Sequence, residues 1–347
     1  MGADAEDRSV RDIVGSTHVG GKYNLTDKDY LNEGADKLLA LGTRVIKLWL
    51  TPNPSKSYPF NSEWPKVDSL VDVLKTPYYR RVLDKPFTTY IFEAFAPGHE
   101  WHEFKKSGMT PEMAADEKQQ FYELTKYLLT TYKGTGKTFI LQNWEGDWVL
   151  KDVKVEIEPT PIAIQGMIDW LNARQDGVDK ARAQVGMHGV TVAHAAEVNL
   201  MGLAMEGKTT VANNVLPKTH CDLVSYSSWD TLRDPDKFRK ALDYLREKMP
   251  DSKLYGSDNV YVGEYGAPEN DVGGPEKQLA FIKSATEVAL DWGARWVVYW
   301  ELYCNEPSRE YEGRPTNADC RGFWLIRPDG TKPPVWDYFA GLLKGKP

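Results

Sequence analysis

Strand-like and helix-like segments alternate along this chain from one end to the other. Short apolar runs rich in β-branched residues, typical of strands buried on both faces, are each followed by apolar residues at helical spacing. We predict eight strands at or within 12–19, 44–50, 87–95, 138–148, 189–196, 221–227, 259–268 and 294–301. Strands that alternate with helices pair in parallel through crossovers, and eight of them fit a closed (β/α)8 barrel.

The chain has 347 residues, enough for one large domain or two ordinary ones. A barrel of this kind needs about 250 residues, so we place the surplus in loops, mostly after strands two, three, five and eight, on the face where barrels carry active sites. We find no linker, low-complexity tract or internal repeat, and predict one domain over 8–345. A doubly wound open sheet is the alternative, but no G-x-G-x-x-G follows the first strand.

Charge and hydropathy exclude several classes of partner. The net charge is −7 and there are no basic blocks, which argues against nucleic acid and anionic membranes. No apolar run approaches the roughly 20 residues of a membrane span. The N-terminus is polar and acidic, unlike a signal peptide. We expect an extracellular or periplasmic protein if a signal peptide was removed, and a cytoplasmic one otherwise.

Three cysteines bear on the compartment. Cys221 lies in a strand-like run, and we predict a buried core thiol. Cys304 and Cys320 flank one polar loop and could pair, which would suit an oxidising compartment.

Three predicted strands end in acidic and aromatic residues. The fourth ends in NWEGDW at 143–148, the seventh in Glu264, and the eighth in Trp300 and Glu301. A carboxylate where a buried strand stops indicates a ligand, because unpaired charge is rarely buried. The structural alternative is that each glutamate pairs with a basic residue of the barrel, such as Lys47 or Arg44.

The fourth and seventh strands of a barrel end opposite each other across its mouth, so Glu145 and Glu264 could flank one bond. Retaining glycoside hydrolysis uses such a pair about 5–5.5 Å apart, one as nucleophile and one as acid and then base. Glu145 lies between indoles, which should raise its pKa and keep it protonated. Glu264 precedes Tyr265, whose hydroxyl could donate to an ionised carboxylate.

The same residues resemble the clan A glycoside hydrolases, especially the cellulase-like families. VGEYG at 262–266 is similar to the nucleophile segment on their seventh strand, Trp300 to their sugar platform on the eighth, and Asn143 with Glu145 to their acid/base signature. The resemblance implies a retaining enzyme that cleaves β-glycosidic bonds by double displacement, with no cofactor or metal. Trp144 interrupts the usual Asn–Glu pair, so either Asn143 still reaches the sugar or Trp144 replaces that contact.

We predict an oligosaccharide, polysaccharide or β-glycoside substrate, bound by residues at the strand ends. The predicted substrate-binding residues are Trp300, Asn143, Trp144, Tyr226, Trp229, Glu301, His194 and Trp49. Lys47, Glu93 and Glu197 are weaker candidates for binding hydroxyls, Trp148 is a further candidate for the cleft wall, and Asp147 is a reserve candidate for the acid. Tyr226 lies where the clan often places a residue that holds the nucleophile, and Glu301 either binds sugar or pairs with Arg321.

Two other functions remain as alternatives. A non-catalytic carbohydrate-binding barrel would keep the aromatic walls, although retention of both glutamates argues against it. A metal-dependent barrel hydrolase would need an H-x-H near strand one, and none of the six histidines has that spacing. A Schiff-base barrel would need a lysine on strand six, where CDLVSYSSW has none.

Overall fold

The computed structural model describes residues 8–98 and 102–345. Eight parallel strands close into one barrel in chain order, so the predicted (β/α)8 fold is confirmed. The strands are β1 (Val14–Thr17), β2 (Val45–Leu50), β3 (Thr89–Ala94), β4 (Thr138–Gln142), β5 (Thr191–Val198), β6 (Leu223–Ser227), β7 (Val260–Tyr265) and β8 (Val297–Tyr299). All of them overlap the predicted ranges, and β5 ends two residues later than predicted.

Helices surround the barrel and connect its strands. They are α1 (Tyr30–Leu41), α2 (Pro54–Ser57), α3 (Leu70–Lys75), α4 (Pro77–Leu83), α5 (Phe104–Ser107), α6 (Pro111–Thr131), α7 (Gly146–Lys151), α8 (Pro161–Val185), α9 (Met201–Met205), α10 (Pro235–Lys248), α11 (Glu269–Val272), α12 (Pro275–Trp292) and α13 (Pro334–Leu343). No described helix is long and apolar enough to cross a membrane.

The helix ends follow local sequence signals. Asp29 caps α1 by accepting a hydrogen bond from the backbone N–H of Asn32, and Gly42 ends the helix in the left-handed conformation, at φ 115°. The apolar spacing over 69–83 in the sequence fits one helix, but the structure has two, α3 and α4. Pro77 disfavours helical dihedrals at the residue before it, so Thr76 ends one helix and caps the next.

The barrel interior changes from apolar to polar toward the carboxyl ends of the strands. Val45, Ile91 and Ile140 belong to an apolar cluster inside the barrel, together with Ala193, Ala195, Leu223, Tyr261, Trp296 and Val298. Side chains two residues apart on a strand point the same way. Lys47, Glu93 and Gln142, two residues further along β2, β3 and β4, therefore point inward as well, at the level where an active site would lie.

The cysteine thiols are free and buried in this structure. Cys221 has the core position predicted for it. The thiols of Cys304 and Cys320 lie within hydrogen-bonding reach of each other, so the two that could pair are adjacent but not bonded.

Candidate active site

A cleft opens at the carboxyl-terminal end of the barrel, with a volume of about 680 Å³. The end of β2 and the segments that follow β4, β6, β7 and β8 form its walls. Its lining residues are Trp49, Trp144, Glu145, Trp148, Trp229, Leu232, Arg233, Glu264, Gly266, Pro268, Trp300, Asn305, Glu306, Arg321 and Phe323. Both predicted catalytic glutamates therefore face the same cleft.

Glu145 follows β4 and directly precedes α7, with 7% of its surface exposed. The Ser227 hydroxyl donates a hydrogen bond to its Oε1 over 2.9 Å. No described basic side chain forms an ion pair with it. Burial raises the pKa of Glu145 well above its usual value, and the negative charge of Glu264 raises it further. The protonated form of Glu145 is therefore favoured, in the direction expected from its surroundings.

Glu264 lies near the end of β7 with 4% of its surface exposed. The Lys47 ammonium lies 3.1 Å from its Oε2, and the Trp229 indole N–H donates to its Oε1 over 3.1 Å. Burial raises the pKa of Glu264 to about 7, while the Lys47 charge and the two hydrogen bonds act in the opposite direction. The ionised form is therefore favoured far more at Glu264 than at Glu145. Pairing with Lys47 was the alternative to a catalytic role for this glutamate. The ion pair is present, and the carboxylate that forms it also lines the cleft.

Lys47 lies among three buried carboxylates, and we call Lys47, Glu93, Glu197 and Glu264 the lysine cluster. Its Nζ is 2.7 Å from Glu93 Oε1, 3.5 Å from Glu197 Oε2 and 3.1 Å from Glu264 Oε2. Burial raises the pKa of Glu93 to about 8, because one ammonium only partly offsets three carboxylates. Oxygens of these carboxylates lie within 4.8 Å of one another, a spacing that could hold a metal ion. The Lys47 ammonium already supplies a positive charge there.

Glu197 connects the lysine cluster to Glu145. Its Oε2 accepts hydrogen bonds from the Gln142 amide over 2.7 Å and the Ser225 hydroxyl over 2.6 Å. Its Oε1 accepts the backbone N–H of Glu145 over 3.0 Å. The Glu197 carboxylate thus contacts the backbone of Glu145 and also Lys47, the counter-ion of Glu264.

Six of the fifteen residues that line the cleft are aromatic. The five tryptophans predicted to lie at the cleft all line it, namely Trp49, Trp144, Trp148, Trp229 and Trp300. Trp300 retains 7% exposure, and its peptide bond to Glu301 is cis. The indole N–H groups of Trp49 and Trp300 are buried without a hydrogen-bond partner in the described residues. They are therefore available as donors to a ligand.

The two tyrosines expected to hold Glu264 point away from it. The Tyr265 hydroxyl bonds to the Thr286 hydroxyl over 2.7 Å, and the Tyr226 hydroxyl donates to Asp230 over 2.6 Å. Both rings are fully buried in the layer outside the barrel. The expected roles of Tyr265 as donor and of Tyr226 as holding residue are wrong, because Lys47 and Trp229 contact Glu264 instead. Tyr226 does not line the cleft either.

His194 and Glu301 were also predicted to bind substrate, but the structure places them off the cleft surface. His194 is fully buried with its ring edge-on to Phe121 on α6. Glu301 is fully buried and accepts the backbone N–H of Asn305 over 2.9 Å, so it shapes the loop after β8. The suggested pairing of Glu301 with Arg321 is absent, because Arg321 binds two other carboxylates.

Asn143 and Asp147 hold the loops behind Glu145. Asn143 Oδ1 accepts the backbone N–H of Glu197 over 3.0 Å, and its Nδ2 donates to the Trp144 carbonyl over 3.0 Å. Asp147 is 1% exposed and accepts three backbone N–H groups from the loop after β5, which does not suit the reserve acid role. Trp144 lines the cleft, whereas Asn143 does not.

The cleft wall formed by the long loop after β8 was not predicted from the sequence. Asn305, Glu306, Arg321 and Phe323 all line the cleft. The Arg321 guanidinium holds this loop by ion pairs with Asp271 over 2.7 Å and Glu306 over 2.5 Å. The position of the loop after the last strand was the only available signal. That position places the loop on the correct face of the barrel, but it does not predict which residues the loop contacts.

Several solved structures resemble this fold, whereas no protein-family model and no curated protein matches the chain. The GH5_18 protein from Streptomyces cattleya, in complex with Manβ1-4GlcNAc, is 13% identical with a TM-score of 0.62, over 96% of this chain and 82% of that one. A GH5-4 broad specificity endoglucanase from Bacteroides salanitronis is 14% identical with a TM-score of 0.54, over 100% and 97%. A GH39 β-xylosidase from Caulobacter crescentus is 15% identical with a TM-score of 0.53, over 97% and 71%.

At these identities the likeness shows the fold. The neighbours are glycoside hydrolases of families 5 and 39, and each matches nearly the whole of this chain. The predicted (β/α)8 barrel is thus shared with glycoside hydrolases of families 5 and 39, which is the fold that the resemblance implied.

Proposed function

We propose that this protein is a retaining glycoside hydrolase that cleaves β-glycosidic bonds. The observation that carries the proposal is the asymmetry of two buried glutamates in one aromatic cleft. Glu264 contacts a cation and an indole N–H, whereas Glu145 has no ion pair with a described residue. One carboxylate suited to attack and one carboxylic acid suited to protonation are the two groups that the retaining mechanism requires.

In the first step, Glu145 gives its proton to the glycosidic oxygen while a Glu264 oxygen attacks the anomeric carbon. The bond to the leaving group breaks, and a glycosyl ester forms on Glu264. In the second step, Glu145 takes a proton from water, whose oxygen attacks the anomeric carbon and releases Glu264. Lys47 and Trp229 stabilise the Glu264 carboxylate before the first step and after the second.

The change of role at Glu145 follows from its surroundings. Part of the rise in the pKa of Glu145 comes from the negative charge of Glu264. When Glu264 becomes an ester, that charge is lost and the pKa of Glu145 falls. Glu145 can then ionise in the intermediate and act as the base.

The cleft walls suit a sugar substrate. Indole faces stack on the apolar faces of sugar rings, and the five tryptophans offer several such faces. The unpartnered indole N–H groups of Trp49 and Trp300 can donate to sugar hydroxyls. The similar structures support a carbohydrate substrate, but an endoglucanase and a β-xylosidase among them act on different sugars.

Azide rescue tests the two roles. After a screen of aryl β-glycosides identifies a substrate, Glu264→Ala and Glu145→Ala should each lose most of their turnover. Azide should then restore activity to both variants. We expect the α-configured glycosyl azide from Glu264→Ala and the β-configured one from Glu145→Ala, because azide replaces the nucleophile in one and attacks the intermediate in the other. Glu276→Ala, at an exposed position on α12, is the control.

Two results would contradict the proposal. An initial product of inverted configuration from the unmodified enzyme would indicate single displacement. Full turnover by both variants would remove the two glutamates from the mechanism. Sugar binding without turnover by the unmodified protein would instead favour the carbohydrate-binding alternative.

A further inference from the structure

A second cavity lies at the opposite end of the barrel from the cleft, and we call it the basal cavity. Its volume is about 820 Å³. Thr89, Thr138 and Thr191 line it, and these are the first residues of β3, β4 and β5. Because the strands are parallel, their first residues mark the amino-terminal end of the barrel. The basal cavity is therefore separate from the candidate active site.

The walls of the basal cavity carry more positive than negative charge. Four basic residues line it, Arg8, Arg44, Lys253 and Arg295, against one acidic residue, Asp12. Arg44 lies 3.6 Å from Asp12, and Arg295 pairs with Asp258 just outside the lining. Arg8 and Lys253 form no ion pair with any described carboxylate. Asp12 and Asp258 also attract Arg8, so the four basic and two acidic described groups leave a net charge of +2 at the cavity wall.

Two of these cations are held close together. The Arg8 guanidinium lies 4.8 Å from the centre of the Trp296 ring, and the Arg295 guanidinium lies 5.4 Å from the same ring. Arg8 donates to the backbone carbonyls of Arg295 and Asp12, each over 2.7 Å. Burial, with the repulsion of Arg295, lowers the pKa of Arg8 to about 10. Backbone carbonyls thus fix the Arg8 guanidinium at the wall without neutralising it.

Threonine hydroxyls supply neutral donors next to these cations. Thr89 pairs with Thr138, and Thr138 with Thr191, in the strand register, so the three side chains lie at one level of the barrel. The Thr89 hydroxyl accepts the Trp296 indole N–H over 3.3 Å. The hydroxyls of Thr138 and Thr191 bond to no described residue and are open to the cavity.

From this arrangement we infer that the basal cavity binds a phosphate or sulfate group, free or carried on a small molecule. The net charge of +2 on its described groups matches a doubly charged oxyanion, and guanidinium and hydroxyl groups are suitable donors to its oxygens. The volume lies in the range of small-molecule sites and leaves room for an organic group attached to the anion. The inference does not depend on the proposed glycosidase activity.

Calorimetric titration of the full chain at constant ionic strength tests the inference. The probes are inorganic phosphate, inorganic sulfate, glycerol 3-phosphate and, as the uncharged comparison, glycerol. We expect one site for the three anions and none for glycerol. Tighter binding of glycerol 3-phosphate than of phosphate would identify a phosphorylated small molecule as the ligand, and the reverse would identify the free anion.

The variants Arg8→Gln and Lys253→Gln should each weaken anion binding by about tenfold, because each removes one charged donor. Lys253 is exposed, so this variant remains informative if Arg8→Gln fails to fold. Arg239→Gln, an exposed change of equal charge on α10, should leave binding unchanged. Absence of binding, or an equal loss in Arg239→Gln, would overturn the inference.

One further variant tests whether the chain itself covers the cavity. Residues 2–7 contain Asp4, Glu6 and Asp7 and directly precede Arg8. A variant without residues 2–7 should bind the anions as the full chain does. Binding that appears only after this deletion would also overturn the inference.

Discussion

Glu264 lies against the Lys47 ammonium and the Trp229 indole N–H, whereas Glu145 accepts a side-chain hydrogen bond from the Ser227 hydroxyl. The two carboxyl groups are almost equally buried, at 4% and 7% exposure. Burial alone would raise both pKa values alike, so the difference between the two sides of the cleft comes from their partners. The counter-ion on one side decides which glutamate keeps its proton.

Removing that counter-ion should have the largest effect. In Lys47→Met, three buried carboxylates lose their only cation within the lysine cluster. We expect the free energy of unfolding to fall by about 3–5 kcal/mol, as for other broken buried ion pairs. The pKa of Glu264 should rise, so the acidic limb of any remaining activity should move to higher pH than in the unmodified protein. Denaturant unfolding and pH–rate profiles measure both effects.

Lys47→Arg is the matched control for that variant. It keeps the positive charge, so it should retain much of the stability even if the larger guanidinium lowers turnover. A Lys47→Met protein as stable and active as the unmodified one would show that the counter-ion does not distinguish the two glutamates.

Glu197→Gln should affect both sides of the cleft at once. The charge of Glu197 raises the pKa of Glu145 and of Glu264, so its removal should move both limbs of the pH–rate profile to lower pH. We expect turnover to fall about 10- to 100-fold, the range typical of altered supporting contacts. If Glu197 only supports the fold, the variant should be less stable, but the two limbs of its pH–rate profile should not shift together.

Trp229→Phe should affect only the Glu264 side. The lost indole N–H stabilises the ionised carboxylate, so the pKa of Glu264 should rise and the acidic limb should move to higher pH, by about one unit or less. The alkaline limb should stay in place. Trp148→Phe, another change at the cleft wall, is the comparison, since Trp148 forms no described hydrogen bond to either glutamate. Equal shifts in the two variants would mean that ring packing matters more than the hydrogen bond.

Ser227→Ala should have the smallest effect, confined to the Glu145 side. The Ser227 hydroxyl stabilises the ionised form of Glu145, so its loss should raise the pKa of Glu145 and move the alkaline limb to slightly higher pH. Turnover at neutral pH should change by less than about fivefold, the equivalent of about 1 kcal/mol for one neutral hydrogen bond. Ser55→Ala, at an exposed position on α2, is the control. A shift of the acidic limb instead would assign the hydroxyl to the other glutamate.

The strand alternation and the residues that end the strands were enough to predict the barrel and both glutamates of the cleft. Alternation along a strand also predicts which of its side chains point into the barrel. His194 lies between Ala193 and Ala195, whose side chains point into the barrel, so His194 must point outward. The same argument applied to Ser225 and Ser227 places Tyr226 outside the barrel.

Other features of the site depend on contacts between distant parts of the chain. Lys47, Glu93 and Glu197 were weak candidates when considered one by one, and only the barrel register brings them together with Glu264. The cleft wall after β8 depends on the ion pairs of Arg321 with two other segments. Local sequence patterns do not specify such pairings.

The lysine cluster has one cation for three carboxylates, and this imbalance makes the free energy of unfolding depend on pH. Burial raises the pKa of Glu264 to about 7 and that of Glu93 to about 8, above their values in an unfolded chain. At pH values between the unfolded and folded pKa values, the folded protein binds more protons than the unfolded one, so the free energy of unfolding should fall as the pH rises through that window. Unfolding near neutral pH should then release protons to the buffer. The calorimetric enthalpy of unfolding should therefore differ between phosphate and Tris, according to the heat with which each buffer takes up those protons.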